Sequence, residues 1–257
     1  MYNLLKFLRP FGWGIFAVFI LLFTQAMSDL ALPNYLSRIV NIGIQQNGIE
    51  NSAPEIMREG MMKRIKLFMD EDDRPFVEQT YARLDRQELP DEEYEIFVRK
   101  YPILAERPLY LLRTRDKKII QRLNALLTEP VMAVSILEKE GASYFSKESG
   151  LPADTDPFSY LDRMPPGERD AIVEKIKERV SRTPEGIVTQ TAINYITLEY
   201  EAIGVGIAGM RAAYILSTGG IMLLFSLLGA ACSITVGFFS SRIASGFGRD
   251  TRRRLFS

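Results

Sequence analysis

Two long stretches of the chain carry no charge, and everything else is arranged around them. No Asp, Glu, Lys or Arg occurs from Pro10 to Ser28, and none from Ala212 to Ser241. The first apolar stretch, Phe11 to Leu32, predicts a membrane-crossing helix. At 1.5 Å per residue, roughly 22 residues reach about 33 Å, against a hydrocarbon core of about 30 Å. Pro10 suits a helix start, because its missing N–H would be unpaired there anyway. Trp13 falls where an indole ring prefers the inner interface, and Pro33 predicts a kink or stop at the outer end. A cleaved signal peptide is the rival reading, since Lys6 and Arg9 resemble a charged leader. The apolar run exceeds the usual leader core of about 7–15 residues, and Ala26-Met27-Ser28 is a poor cleavage site.

The second stretch, Ala212 to Phe239, is longer than one crossing needs, so it can tilt or project beyond the bilayer. Gly229, Ser233, Gly237 and Ser241 recur every four residues there. That spacing predicts a small-residue stripe where another helix can approach closely. In the first stretch, Gln25, Ser28 and Asp29 stand three and four apart, on one helical face. An acid within a span is costly unless it faces protein or water. These three are therefore candidates for a translocation path or an interhelical contact.

Between the spans, Ile44 to Ala202 alternates polar and apolar positions at helical spacing. The predicted helices are Pro54–Met69, Pro75–Leu89, Asp91–Lys100, Asp116–Leu127, Pro130–Lys139, Glu168–Ser181 and Ile187–Ile203. Ile119, Ile120, Leu123, Leu126 and Leu127 mark one apolar face, and Ile172, Val173, Ile176 and Val180 another. Pro165-Pro166-Gly167 and Thr183-Pro184-Glu185-Gly186 read as breaks between helices. No run reads as a set of alternating strands. The expected fold class is an all-α membrane protein, with two transmembrane helices flanking a mostly helical extracellular domain.

Composition changes the picture only when taken by region. Over 257 residues, 32 basic and 32 acidic side chains cancel. From Glu50 to Glu201 there are 30 acids against 23 bases, whereas the two ends are basic. Lys6 and Arg9 precede the first span, and Arg242, Arg249, Arg252, Arg253 and Arg254 follow the second. Basic residues beside spans stay in the cytoplasm, so both termini are expected there, in a multi-pass protein of the cell membrane. The middle domain then lies outside.

The single cysteine, Cys232, excludes a disulfide framework within one chain. The absence of histidine removes Ser-His-Asp and Cys-His catalysis and His-ligated zinc. Asp70-Glu71-Asp72-Asp73 lacks the spacing and the internal glycine of a calcium loop. Lys117-Lys118, with Arg113 and Arg115, reads as ordinary surface, and so do Glu92, Glu93 and Glu95. No catalytic, cofactor-binding or metal-binding residue is expected in this chain, nor any nucleic-acid partner.

Two segments carry a specific resemblance. Leu32-Pro33-Asn34-Tyr35-Leu36-Ser37-Arg38-Ile39-Val40-Asn41-Ile42-Gly43-Ile44 resembles the end of the first transmembrane helix of ABC exporters. There a proline is followed by Ser-x-Ile-Val-Asp/Asn-x-Gly-Ile. Arg242-Ile243-Ala244-Ser245-Gly246-Phe247-Gly248-Arg249-Asp250-Thr251-Arg252-Arg253-Arg254-Leu255-Phe256 resembles the cytoplasmic extension of the second helix, where Arg-Asp-x-Arg-x-x-Leu-Phe is common. Tyr195 to Gly204 is similar to the approach to that helix in exporters of the heterodimeric multidrug type, one subunit of which can carry a large extracellular insertion.

The resemblance implies residues 1–10 as a cytoplasmic N-terminus and 11–43 as helix 1. It implies 44–205 as the extracellular domain, 206–241 as helix 2 and 242–257 as its cytoplasmic extension. Within that extension, Arg249, Asp250, Arg252, Arg253 and Arg254 are the expected coupling residues. It also implies a lipid membrane, the remainder of a six-helix half-transporter and a second half-transporter subunit as partners, with ATP and Mg acting in the complete transporter. No Gly-x-x-x-x-Gly-Lys-Ser/Thr loop and no Leu-Ser-Gly-Gly-Gln signature occurs here. The expectation is therefore an N-terminal fragment, inactive alone. A two-span sensor with an outside ligand domain fits the same topology, and a two-span scaffold is a third reading with no feature in its favour.

Overall fold

The computed structural model describes residues 12–145 and 156–255 and is mostly helical. Lys6, Arg9, Pro10 and Phe11 lie outside the described residues. The chain divides into two compact units, one built from 1–45 and 212–257, the other from 46–211.

The first unit is a pair of long helices. Helix α1 is Gly12–Arg38, and a wider helical turn, Ile39–Gln45, extends it. Pro33 sits inside α1 rather than ending it. The partner is α9, Ile207–Leu255, a helix of 49 residues. Both are long and apolar enough to cross a membrane. Only 6% and 11% of their most apolar windows are buried. A core helix of a soluble protein would be mostly covered, whereas here Trp13, Leu216 and Ile234 are 75–85% exposed. Leucine, isoleucine and phenylalanine facing outward in this density suit hydrocarbon rather than water.

The second unit holds β1 (Ile56–Arg58), α2 (Glu59–Phe68), α3 (Arg74–Thr80), β2 (Tyr81–Leu84), α4 (Asp91–Lys100) and β3 (Leu109–Leu112). These are followed by α5 (Lys117–Phe145), α6 (Pro157–Leu161), α7 (Pro166–Ser181) and α8 (Glu185–Ile203). The strands form one antiparallel sheet in the order β1-β3-β2, with Met57 opposite Tyr110 and Arg83 opposite Tyr110 on the other edge. This sheet corrects the expectation of a domain without strands. The predicted helix Pro54–Met69 is β1 followed directly by α2, and Pro75–Leu89 is α3 followed directly by β2. Strands of three or four residues are too short to display alternation. In β2 the buried pair Tyr81 and Leu84 stands three apart, a spacing that a helix would also give.

Two predicted helices, Asp116–Leu127 and Pro130–Lys139, are one. Helix α5 runs through Pro130 without a break. A proline costs a helix interior about 3 kcal/mol. The next two turns bury Val131, Val134 and Leu137 completely, and three such side chains return more than that, at about 1.5–3 kcal/mol each. The core collects Met57 from β1, Ile65 from α2, Leu109 from β3, Leu123 and Leu127 from α5, Ile176 from α7 and Ile196 from α8.

Polar groups fasten the first loop of this unit to the helices. Asn124 on α5 accepts from the Ala53 N–H at 2.9 Å and donates to Asn51 at 2.9 Å. The Tyr200 hydroxyl accepts the Glu55 N–H at 2.7 Å, and the Tyr81 hydroxyl donates to the Pro54 carbonyl at 2.8 Å. Burial pushes both phenols above their ordinary pKa, so they remain neutral bonding groups. Asn47 and Gly48 turn the chain with φ of 54° and 80°. A Cβ at Gly48 would lie 2.9 Å from the Met210 carbonyl oxygen, so this turn admits only glycine without a shift of backbone.

The strongest polar tie is between β1 and α8. Glu199, 2% exposed, accepts from Arg58 Nε at 2.9 Å, from Arg58 Nη2 at 2.6 Å and from the Arg58 backbone N–H at 2.8 Å. The bond to Glu199 raises the Arg58 pKa. Removing one member of a buried pair strands the other charge. Arg58→Ala is expected to cost the chain about 3 kcal/mol, a fall of roughly 6–12 °C in the unfolding midpoint for a domain of this size. Thermal unfolding of the detergent-solubilised variant checks this, and a fall below about 2 °C would contradict it.

Candidate functional site

The residues singled out in the two apolar helices meet along one seam. On α1 and its extension, the covered positions include the series Gly14, Val18, Leu21, Gln25, Ser28, Leu32, Tyr35, Ile39 and Ile42. On α9 they include the series Ile215, Thr218, Met222, Phe225, Gly229, Cys232, Val236, Phe239, Ile243 and Gly246. Both sets alternate steps of three and four. That 3.5-residue period is the geometry in which two helices stay in contact while winding slightly left-handed about each other.

Contacts along the seam fix an antiparallel register. A Cβ added at Gly14 would meet Ile243 Cδ1 at 3.2 Å, one at Gly229 would meet Ser28 Cβ at 3.9 Å, and one at Gly43 would meet Ile215 Cγ1 at 2.8 Å. Between the last two, the rings of Tyr35 and Phe225 stack at 5.4 Å. At the Gly43 end, Arg38 Nε donates to the Tyr214 hydroxyl at 3.2 Å. Glycines let the backbones approach, so side-chain packing and weak polar contacts accumulate along the whole length.

Gln25 and Ser28 lie on this seam, Gln25 half-buried and Ser28 2% exposed. The Ser28 hydroxyl donates back to the Thr24 carbonyl at 2.9 Å, which satisfies its proton inside α1. Asp29 stands at the edge of the seam. It is exposed, its Oδ1 is 3.4 Å from where a Gly229 Cβ would be, and it makes no hydrogen bond or ion pair among the described residues. The structure therefore brings Ser28 and Asp29 up to Gly229, with Gln25 half-buried one turn away, and leaves Asp29 as a residue largely exposed.

Ser233, Gly237 and Ser241 are exposed, and a Cβ at Gly237 would meet nothing within 4 Å. A four-residue repeat turns about 40° per step around a helix. It thus leaves the seam after Gly229, and Cys232 and Val236 take the following contact positions. The polar and small residues were visible in the sequence. The seven-residue repeat that orders them was missed, and the spacing of Phe225, Cys232 and Phe239 was the signal for it.

At the other end of the pair, Ile15, Val18, Phe19 and Leu22 of α1 and Ile243 and Phe247 of α9 line an apolar groove of about 330 Å³. Helix α9 continues past it without interruption to Leu255. Arg249, Arg252 and Arg253 are exposed along this continuation, while the side chains of Asp250 and Arg254 lie outside the described residues.

In the other unit, Asp70 pairs with Lys177 at 3.0 Å and Glu71 with Arg74 at 3.7 Å. Glu95 pairs with Arg99 at 3.8 Å along α4, and Lys117 and Lys118 are exposed at the start of α5. No group of three His, Cys, Asp or Glu side chains with metal-holding geometry occurs among the described residues. No protein-family profile matches the chain, and no curated protein or solved structure does.

The seam makes a direct prediction. A cysteine at 229 would place its Cβ 3.9 Å from that of residue 28, inside the range of about 3.5–4.5 Å that a disulfide requires. In a Cys232→Ser background, Ser28→Cys/Gly229→Cys is expected to lose both free thiols on mild oxidation, counted by mass spectrometry after alkylation. Ser28→Cys/Gly237→Cys is expected to keep both. Equal oxidation of the two pairs would contradict the register.

Proposed function

We propose that this chain is the front part of the membrane-spanning domain of an ATP-driven ABC exporter, with both ends cytoplasmic and the unit of residues 46–211 outside the cell. The observation that carries the reading is the position of the two exporter-like segments. The segment from Leu32 to Ile44 covers the end of α1, where the helix runs past Pro33 into the wider turn Ile39–Gln45. The segment from Arg242 to Phe256 covers the end of α9, and the helix remains unbroken to Leu255. A long continuous helix is what such an exporter needs to carry force from its ATPase to its spans.

In this reading the complete protein contains further spans and a nucleotide-binding domain, and pairs with a second half-transporter subunit. ATP and Mg act there. The exposed arginines of the α9 extension face the cytoplasmic machinery, and the α1–α9 seam moves as one piece because its glycine contacts leave no slack. Asp29, in the outer part of the span and without a side-chain partner among the described residues, is the residue placed to meet a polar group on the translocation path. The chain by itself neither hydrolyses ATP nor transports. A two-span sensor keeps the same two crossings and outer domain but has an output domain in place of the ATPase.

Reading the coding sequence beyond the codon for Ser257 tests the proposal. Four further apolar spans followed by Gly-x-x-x-x-Gly-Lys-Ser/Thr are expected. A stop codon at that point, or an output domain without that loop, would overturn it.

A further inference from the structure

A small cavity in the second unit, of about 170 Å³, lies where β1 passes into α2, against α8 and the residues before β3. Its charged and polar walls are Arg58, Glu59, Arg64, Arg107, Tyr195 and Glu199. It is too small for a drug-sized molecule, which needs about 300 Å³ or more, and large enough for one small ion with a water or two.

The hydrogen-bonding capacity of this cavity is unbalanced. A guanidinium carries five N–H groups. Arg58 commits Nε and one Nη2 proton to Glu199. Arg64 commits one proton to Glu138 at 3.2 Å and one to Asp156 at 3.3 Å, and its face rests on the Phe158 ring at 4.3 Å. Arg107 is exposed, and its side chain makes no hydrogen bond or ion pair among the described residues. Most of the guanidinium protons of the three arginines that line this cavity are therefore left over among the described residues.

The buried acceptor there, Glu199, is already in use. Glu199 takes three bonds from Arg58. Glu59 is drawn toward Lys63 at 3.5 Å and Arg83 at 3.9 Å. The first turn of α2 forms part of the wall, and the start of a helix adds partial positive charge. Arg58 and Arg64 are held in place by their acids, so two of the three cations are oriented before any ligand arrives, which lowers the entropy cost of binding.

We propose that this cavity binds one small oxyanion, a carboxylate or a phosphate, with Arg107 closing over it and Arg58 and Arg64 supplying fixed donors. Guanidinium groups match both anions in a forked geometry. The proposal does not depend on the exporter reading, because it uses only side chains of this unit.

Titration calorimetry on the whole detergent-solubilised chain, with inorganic phosphate and separately with acetate at low ionic strength, tests it. Saturable binding of either ion is expected, and which one binds more tightly identifies the class. Arg107→Ala, which removes no internal contact, is expected to weaken that binding by about tenfold or more. Glu59→Gln removes a negative charge from the wall and is expected to tighten it severalfold. Opposite shifts from two neighbouring substitutions cannot come from misfolding. Absence of binding of both ions up to about 10 mM, or unchanged affinity in Arg107→Ala, would overturn the proposal.

Discussion

The close approach of α1 and α9 is the contact on which the rest of the first unit depends. Two helices that expose leucine and phenylalanine over most of their circumference gain nothing from hiding apolar surface once they are surrounded by hydrocarbon. They are held together by packing, and packing needs small residues at regular intervals. Gly14, Gly43 and Gly229 provide three such close approaches, and a side chain at Gly43 would collide with Ile215 at 2.8 Å. The seven-residue period keeps the contact in register from Gly14 to Ile42. Ser28 is buried there at little cost, because its proton stays within α1.

The second unit rests on different physics. Its core of methionine, leucine and isoleucine is assembled from every layer, so the short sheet and the long helices depend on one another. The Arg58–Glu199 tie is made by the first strand and the last helix of this unit, far apart in sequence. Such a buried pair adds little net stability when intact and much instability when halved. It sets which helix face meets the sheet. The guanidiniums it orients are also the fixed part of the small cavity beside α2.

Much of the architecture was legible from the chain. Long uncharged runs identify α1 and α9 because only length and apolarity matter to that inference. Helix α4 has the bounds that its sequence predicts, and the acids Asp91-Glu92-Glu93 stand at its start. The sheet was not legible, because Ile56–Arg58 and Tyr81–Leu84 adjoin helices and are too short to show a period of two. Pro130 misled because local propensity forbids what core burial permits. Of the candidate site, Gln25, Ser28 and Gly229 were legible as polar and small residues within apolar helices. That Ser233 and Gly237 are exposed while Cys232 and Val236 continue the contact depends on rotation about the helix axis, which the four-residue stripe does not follow. The cluster of Arg58, Arg64 and Arg107 joins β1, α2 and the approach to β3, and no local pattern announces it.

The proposed topology has α1 and α9 crossing a membrane, with residues 46–211 outside the cell and the end of α9 in the cytoplasm. Labelling of single cysteines in intact cells tests it most directly. In a Cys232→Ser background, Glu92→Cys and Arg252→Cys each introduce a thiol at an exposed position. A membrane-impermeant maleimide is expected to modify the thiol at 92 at once, and the thiol at 252 only after the cells are opened. Modification of both in intact cells, of neither, or of 252 alone would contradict the account.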